Sequence, residues 1–303
     1  MLAGDAQQPA VTALADLLAC PRCRGVLTLS ERACACAGCG ARFPVEGGVA
    51  RLADRALHDD PLLRAEWQAQ HHARALYLDP RSLMNRWEAG ILPRLCDLVA
   101  GVAGPILDVG CGVGHFGRAF AARTGRRDLV GVDLQAELLV EAEAGYLGRI
   151  EADVHRLPLR DRVFAAAIAA NTLHHVGDGP KALSEIARCL APGGLLVAYD
   201  PRACAPLDAL RRRLRRGDHA FTADHRAFSL AEYRALCAGA GLTVERLVAL
   251  DTLGPLVASG LDLVRAGHLG VPLRLVDLLV AIDRQLARVP GLGLMVLAVA
   301  RKL

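Results

Sequence analysis

Pro105-Ile-Leu-Asp-Val-Gly-Cys-Gly-Val-Gly114, continued by His115-Phe-Gly117, is the stretch whose reading decides the fold. Its first residues form a short apolar run of the length a strand buried on both faces requires. The glycines that follow make a tight turn, and an amphipathic helix is expected from there through Ala122. Beyond it, Asp128 to Asp133 reads as a second strand that ends in a carboxylate. A helix over Gln135 to Ala144, a strand near Arg149 to Ala152 and the apolar run Val163 to Ala170 continue the alternation. A helix from Lys181 to Leu190 then passes through Ala191-Pro-Gly-Gly194 into a strand over Leu195 to Tyr199, and a sixth strand spans about Leu242 to Leu250. Strands and helices alternating at this period predict a doubly wound, mostly parallel α/β sheet with helices on both faces.

The composition sets outer bounds. With 303 residues, the chain has room for one α/β domain and a small appendage. At 53% hydrophobic it can bury a large core, and its net charge of +4 excludes a chain that coats nucleic acid. No apolar stretch approaches the ~18 residues of a spanning helix. The N-terminus has no signal-peptide core, so a soluble cytoplasmic protein is expected.

Five of the ten cysteines fall between residues 20 and 39. Cys20-Pro-Arg-Cys23 and Cys36-Ala-Gly-Cys39 are two C-x2-C knuckles, and two such knuckles complete the tetrahedral thiolate shell that suits structural Zn²⁺. Cys34 is set aside as a non-ligand, because Cys36 is the residue that forms the second knuckle. Gly25 to Ser30 and Ala41 to Val45 read as hairpin arms. With Phe43-Pro-Val-Glu-Gly-Gly-Val-Ala-Arg-Leu52 behind it, this region resembles the zinc ribbon of the tRNA-methyltransferase activator family.

Gly112-x-Gly114-x-x-Gly117 satisfies a dinucleotide fingerprint, which alone would suit a nicotinamide enzyme. Its companions decide otherwise. Asp108 lies inside the first strand, Glu151-Ala-Asp153 ends the third, Asn171-Thr-Leu-His-His175 ends the fourth, and Pro192-Gly-Gly194 precedes the fifth. Together they resemble the class I S-adenosylmethionine-dependent methyltransferases of the type 11 group. That resemblance implies a seven-stranded Rossmann-like sheet with a site for S-adenosylmethionine lined by Asp108, Gly110, Gly112, Gly114, Asp133, Leu134, Asp153, Val154 and Asn171. In it, Asp133 would accept from the ribose hydroxyls, Asp153 from the adenine amino group, and Asp108 would face the methionine end. His174 and His175, just past the fourth strand, are the candidate catalytic bases.

The expected organisation is a zinc ribbon over residues 1–56, a helical cap or linker over 57–103 and the methyltransferase body over 104–303. The body carries insertions at about 202–228 and 252–290. Within 57–103, Asp79-Pro80 suits a helix start, and Leu83, Trp87, Ile91, Leu95 and Leu98 recur at helical spacing. The first insertion holds Arg211-Arg-Arg-Leu-Arg-Arg216, and from Arg202 to Arg226 seven Arg face three Asp, a surplus equal to the net charge of the whole chain. In the second, Arg274, Asp277, Arg284 and Arg288 share one helical face, while Leu275, Leu278, Leu279, Ile282 and Leu286 share the other. That apolar face either packs on the core or lines a pocket for a hydrophobic acceptor. A small-molecule acceptor is the expected partner. Ribosomal or transfer RNA is the alternative, disfavoured by 4% aromatics for stacking bases. A non-catalytic protein that binds partners through its ribbon is the third reading.

Overall fold

The computed structural model describes residues 13–54, 61, 64, 78–79, 83–204, 226–252, 273–286 and 293–303. Eleven strands are described: β1 (Leu27–Leu29), β2 (Ala33–Cys36), β3 (Arg42–Glu46), β4 (Val49–Arg51), β5 (Ile106–Val109), β6 (Leu129–Asp133), β7 (Tyr146–Glu151), β8 (Phe164–Ala170), β9 (Leu190–Pro201), β10 (Leu242–Leu250) and β11 (Met295–Lys302). Six α-helices accompany them: α1 (Leu83–Val99), α2 (His115–Thr124), α3 (Ala136–Leu139), α4 (Gly179–Cys189), α5 (Leu230–Gly239) and α6 (Leu273–Leu286).

The strands form one sheet in the order β1-β2-β3-β4-β7-β6-β5-β8-β9-β11-β10. From β7 to β9 every pairing is parallel, and β11 runs antiparallel between β9 and β10. This is the doubly wound, Rossmann-like α/β sheet that the alternation predicts. All four residues of β5 are buried, as a central strand covered on both faces requires. On one face α1 and α2 bring Trp87, Ile91, Leu95, Phe116 and Phe120 against Ile106, Leu129 and Val197. On the other, α4 and α5 bring Leu183, Ile186, Tyr233 and Cys237 against Leu107, Val109 and Val130.

The N-terminal strands join this sheet. β4 pairs in parallel with β7, Val49 opposite Arg149 and Arg51 opposite Glu151. Leu18 forms a bridge with Leu159 and is fully buried in the same apolar cluster as Leu27, Leu52, Ile150 and Leu157. Arg24, in a left-handed conformation beside Cys23, donates to the carbonyls of Leu157 and Leu159 at 2.7 and 3.1 Å. Arg188 of α4 donates to the same two carbonyls.

Several elements depart from the sequence reading. The two expected hairpin arms are not partners, because β2 lies between β1 and β3. The helix expected over Gln135 to Ala144 is only Ala136–Leu139, and β7 begins earlier, at Tyr146. Ala191 to Gly194 lie within β9, and its pairing with β8 shifts register there. On the apolar face of α6, Leu275, Leu278 and Ile282 are 45%, 54% and 40% exposed, while Leu279 and Leu286 are half-buried, so only one edge of this face is covered. α6 is held through Asp277, which pairs with Arg86, and through the buried Asp283, which accepts from the Thr252 amide. Pro80 and the Arg211–Arg216 run lie outside the described residues. No helix among the described residues is long and apolar enough to cross a membrane.

The shared core has a measurable consequence. Leu18→Ala should cost about 3 kcal/mol, as expected for a buried leucine. Denaturant unfolding followed by far-ultraviolet circular dichroism should show the loss in one transition, without an early step confined to the N-terminal strands.

Candidate functional site

In open α/β sheets, ligands lie outside the carboxyl ends of the strands where the order reverses. Here that crevice lies between β5 and β8, and most of the sequence-predicted residues surround it. Gly110, Gly112 and Gly114 form the turn after β5, all with positive φ (67°, 50° and 80°). Gly114 is the N-cap of α2, so the turn feeds directly into that helix. A Cβ on Gly112 would meet nothing within 4 Å, leaving open space above the turn. A Cβ on Gly110 would fall 2.3 Å from the Thr172 hydroxyl oxygen, so glycine there lets the end of β8 close on the turn. The Thr172 hydroxyl donates to the Val109 carbonyl at 2.9 Å and completes the closure.

Asp133 ends β6 beside this turn. Its carboxylate accepts from the amides of Gly112 (3.0 Å) and Gln135 (2.9 Å). Burial pushes its carboxyl up while those amides oppose the rise. Asp153, past β7, is the cap of the short 3-10 helix Val154–Arg156. It accepts from the His155 amide (2.9 Å) and is 2.7 Å from His155 Nδ1. Despite partial burial, the His155 contacts hold it below the ordinary carboxylate range. Leu134 and Val154 are half-buried beside these two carboxylates. Asn171 has φ 53°, and its amide donates to the Tyr199 carbonyl at 2.7 Å.

Asp108 is placed differently. It is 2% exposed, beneath the glycine turn, and its carboxylate accepts from the Tyr146 hydroxyl at 2.5 Å. The Tyr146 ring fills the space that side chains on Gly117 and Gly131 would take, at 2.2 and 2.9 Å from their hypothetical Cβ atoms. Gly117, the last glycine of the fingerprint, therefore serves this ring. Burial raises the Asp108 carboxyl to about 7, against the pull of the Tyr146 hydrogen bond.

His174 and His175 follow in a 3-10 turn, with ring centroids 3.9 Å apart. His174 is 5% exposed, and its amide and Nδ1 lie 3.2 and 2.9 Å from one oxygen of the fully buried Asp200. Tyr233 of α5 donates to the other Asp200 oxygen at 2.7 Å. Burial raises the Asp200 carboxyl to about 6. His174 is thus tied into the body of the fold, and His175 is the less buried of the two. Sequence reasoning missed Tyr146, Asp200, Glu88 and His115. The Glu88 carboxylate lies 2.8 Å from His115 Nδ1 and 3.5 Å from Asn171 Nδ2. Of these four, only His115 carried a local signal, its place immediately after the glycine turn.

The four sulfurs of Cys20, Cys23, Cys36 and Cys39 all lie within 4.8 Å of one another, with Cys20–Cys39 at 3.7 Å and Cys23–Cys36 at 3.5 Å. A tetrahedral zinc site with bonds of about 2.3 Å needs edges of about 3.8 Å, so the cluster fits that ion. Cys34 is fully buried in the apolar cluster, and burial pushes its thiol up to about 11. The amide of Cys39 pulls the Cys36 thiol down to about 6, toward the thiolate a metal requires.

Comparisons with known proteins bear on the family and the fold. Residues 107–198 match a family described as a methyltransferase domain. Trans-aconitate 2-methyltransferase of Methylobacterium nodulans is 32% identical over 197 residues, covering 60% of this chain and 70% of that one. Squalene methyltransferase 1 of Botryococcus braunii is 32% identical over 102 residues, covering 31% of this chain and 27% of that one. The chain spans about a quarter to a half of the length of several curated relatives that it matches. A geranyl diphosphate C-methyltransferase structure from Streptomyces coelicolor shares the fold, with TM-score 0.51, 19% identity and coverage of 83% of this chain and 87% of that one.

Asp108 makes stability depend on pH. Its carboxyl ionises near 3.8 in an unfolded chain but near 7 when folded, so between those values the folded state holds the extra proton. Stability should therefore fall as pH rises through that window. Asp108→Asn keeps an acceptor for Tyr146 and removes the buried charge. In urea titrations the variant should exceed wild type by about 4 kcal/mol at pH 8, and the difference should close near pH 4.

Proposed function

Since the chain belongs to the class I S-adenosylmethionine-dependent methyltransferases, we propose that it transfers a methyl group to a small, hydrophobic acceptor that carries an anionic group. The observation that carries this reading is the open space over Gly112, bordered by the strand-end carboxylate Asp133. A cofactor needs such a cradle, because a Cβ there would occupy its path. Asp133 would accept from the ribose, Asp153 and Val154 would hold the adenine, and Leu134 and Asn171 would complete the walls. S-adenosylmethionine would supply an electrophilic methyl group on a positively charged sulfur. The protein's task is then to align the acceptor, exclude water and take a proton where the nucleophile carries one. His175 suits the proton-accepting role, with the His174 ring in contact with it as the support.

The acceptor is inferred from chemistry. The sequence between residues 253 and 289 is rich in Leu and Val, and that between 202 and 226 is rich in Arg. An apolar body and an anionic group match those two compositions. Relatives named for squalene and for trans-aconitate, a hydrocarbon and an organic acid, support a small molecule over RNA. Calorimetry should find one cofactor per chain, and Asp133→Ala should weaken binding by about 2–3 kcal/mol through loss of a charged acceptor. Methyl-labelled cofactor supplied to a whole-cell extract should deliver its label to an organic-soluble molecule. Label confined to RNA would replace this acceptor with the alternative one.

The ribbon is assigned one structural Zn²⁺ held by Cys20, Cys23, Cys36 and Cys39. Four protein sulfurs leave no open position on the ion, so its role is to fix the fold of the knuckles. Metal analysis should find one zinc per chain, lost in Cys36→Ser and retained in Cys34→Ser. The opposite pattern would reassign the ligand.

A further inference from the structure

Five carboxylates toward the carboxyl ends of the strands are already held. Asp108 accepts from Tyr146, Asp133 from the Gly112 and Gln135 amides, Asp153 from His155, Asp200 from Tyr233 and the His174 amide, and Asp251 from Tyr199. Glu88 stands apart in its placement. It comes from α1, outside the residues matched by the family, and it reaches both sides of the switch point. One oxygen is 2.8 Å from His115, the first residue after the turn that follows β5. The other is 3.5 Å from the Asn171 amide nitrogen at the end of β8. That second contact is long for a hydrogen bond, so a stronger donor would displace Asn171 from it.

A ligand lying across the crevice between the β5 turn and β8 must therefore pass Glu88. The cofactor proposed above carries a primary ammonium on its amino-acid end, and an ammonium prefers a carboxylate over any neutral acceptor. Asp108, the sequence-based choice for that end, is already engaged by Tyr146 beneath the turn. We propose that Glu88 is the anionic contact for the cofactor's ammonium group. His115 orients that carboxylate, and α1 thereby becomes a wall of the cofactor site. This assignment rests on the cofactor reading above.

The test compares three ligands by calorimetry on the full chain: S-adenosylmethionine, S-adenosylhomocysteine and 5′-methylthioadenosine. The first two carry the ammonium, and the third keeps the adenosine and the sulfur without the amino-acid end. Glu88→Gln should weaken the first two equally, by roughly 10- to 100-fold, and leave the third within about twofold. Retained binding of methylthioadenosine also shows that the variant is folded. Loss of S-adenosylmethionine affinity alone would place Glu88 at the sulfonium and overturn the assignment. Equal loss for all three ligands, no loss, or a gain for the ammonium-bearing pair would overturn it as well. Each of those results leaves the cofactor reading intact, whereas a wild-type chain that binds none of the three sinks both.

Discussion

The hydrogen bond from Tyr146 to Asp108 sits where the most constrained parts of the structure meet. The Tyr146 ring lies in the volume left by glycines 117 and 131, and its hydroxyl meets a carboxylate buried inside the first strand of the body. Neither partner is tolerable there alone. A buried carboxylate without a donor is costly, and so is a buried phenol without an acceptor. Together they fill the space beneath the turn and hold β7 close to α2. The turn is then held from both sides, by the ring below and by Thr172 from β8.

Much of this was legible in the sequence. The apolar runs located β5, β6 and β8 to within a few residues, because strands buried on both faces need continuous apolar side chains. Carboxylates at strand ends and the spacing of the cysteines also announced themselves. What could not be read depends on partners distant in sequence. Tyr146 is 38 residues from Asp108, Asp200 is 26 from His174, and Glu88 is 27 from His115. No local pattern distinguishes Glu88 from an ordinary solvated helix glutamate until α1 is packed against α2. The helix after Gln135 was overestimated for a related reason. Its alternation of Glu, Leu and Ala has good intrinsic propensity, yet the chain must turn early to present Tyr146.

The two histidines illustrate a residue type read correctly in position and differently in environment. Sequence placed them past the fourth strand, and they are there. Burial separates them: His174 is fixed by Asp200 and through it to Tyr233 on α5, while the His175 ring lies tilted against its neighbour and is less buried. The Arg226 amide donates to the His174 carbonyl at 3.0 Å, so the chain leading into α5 is fastened to the same turn.

The pairing of β4 with β7 also bears on how the protein avoids sticking to copies of itself. A parallel sheet that stopped at β7 would offer a row of open amides and carbonyls, the template on which a stray strand can add. Here that template is already occupied by β4, and the succession continues through the short strands β3 and β2 to β1, only three residues long. At the opposite margin, β10 turns charged Glu245 and Arg246 outward, and Arg301 of β11 is paired with Glu245. Both ends of an eleven-stranded sheet are thus poor seeds for intermolecular growth, one because it is short and the other because it is charged.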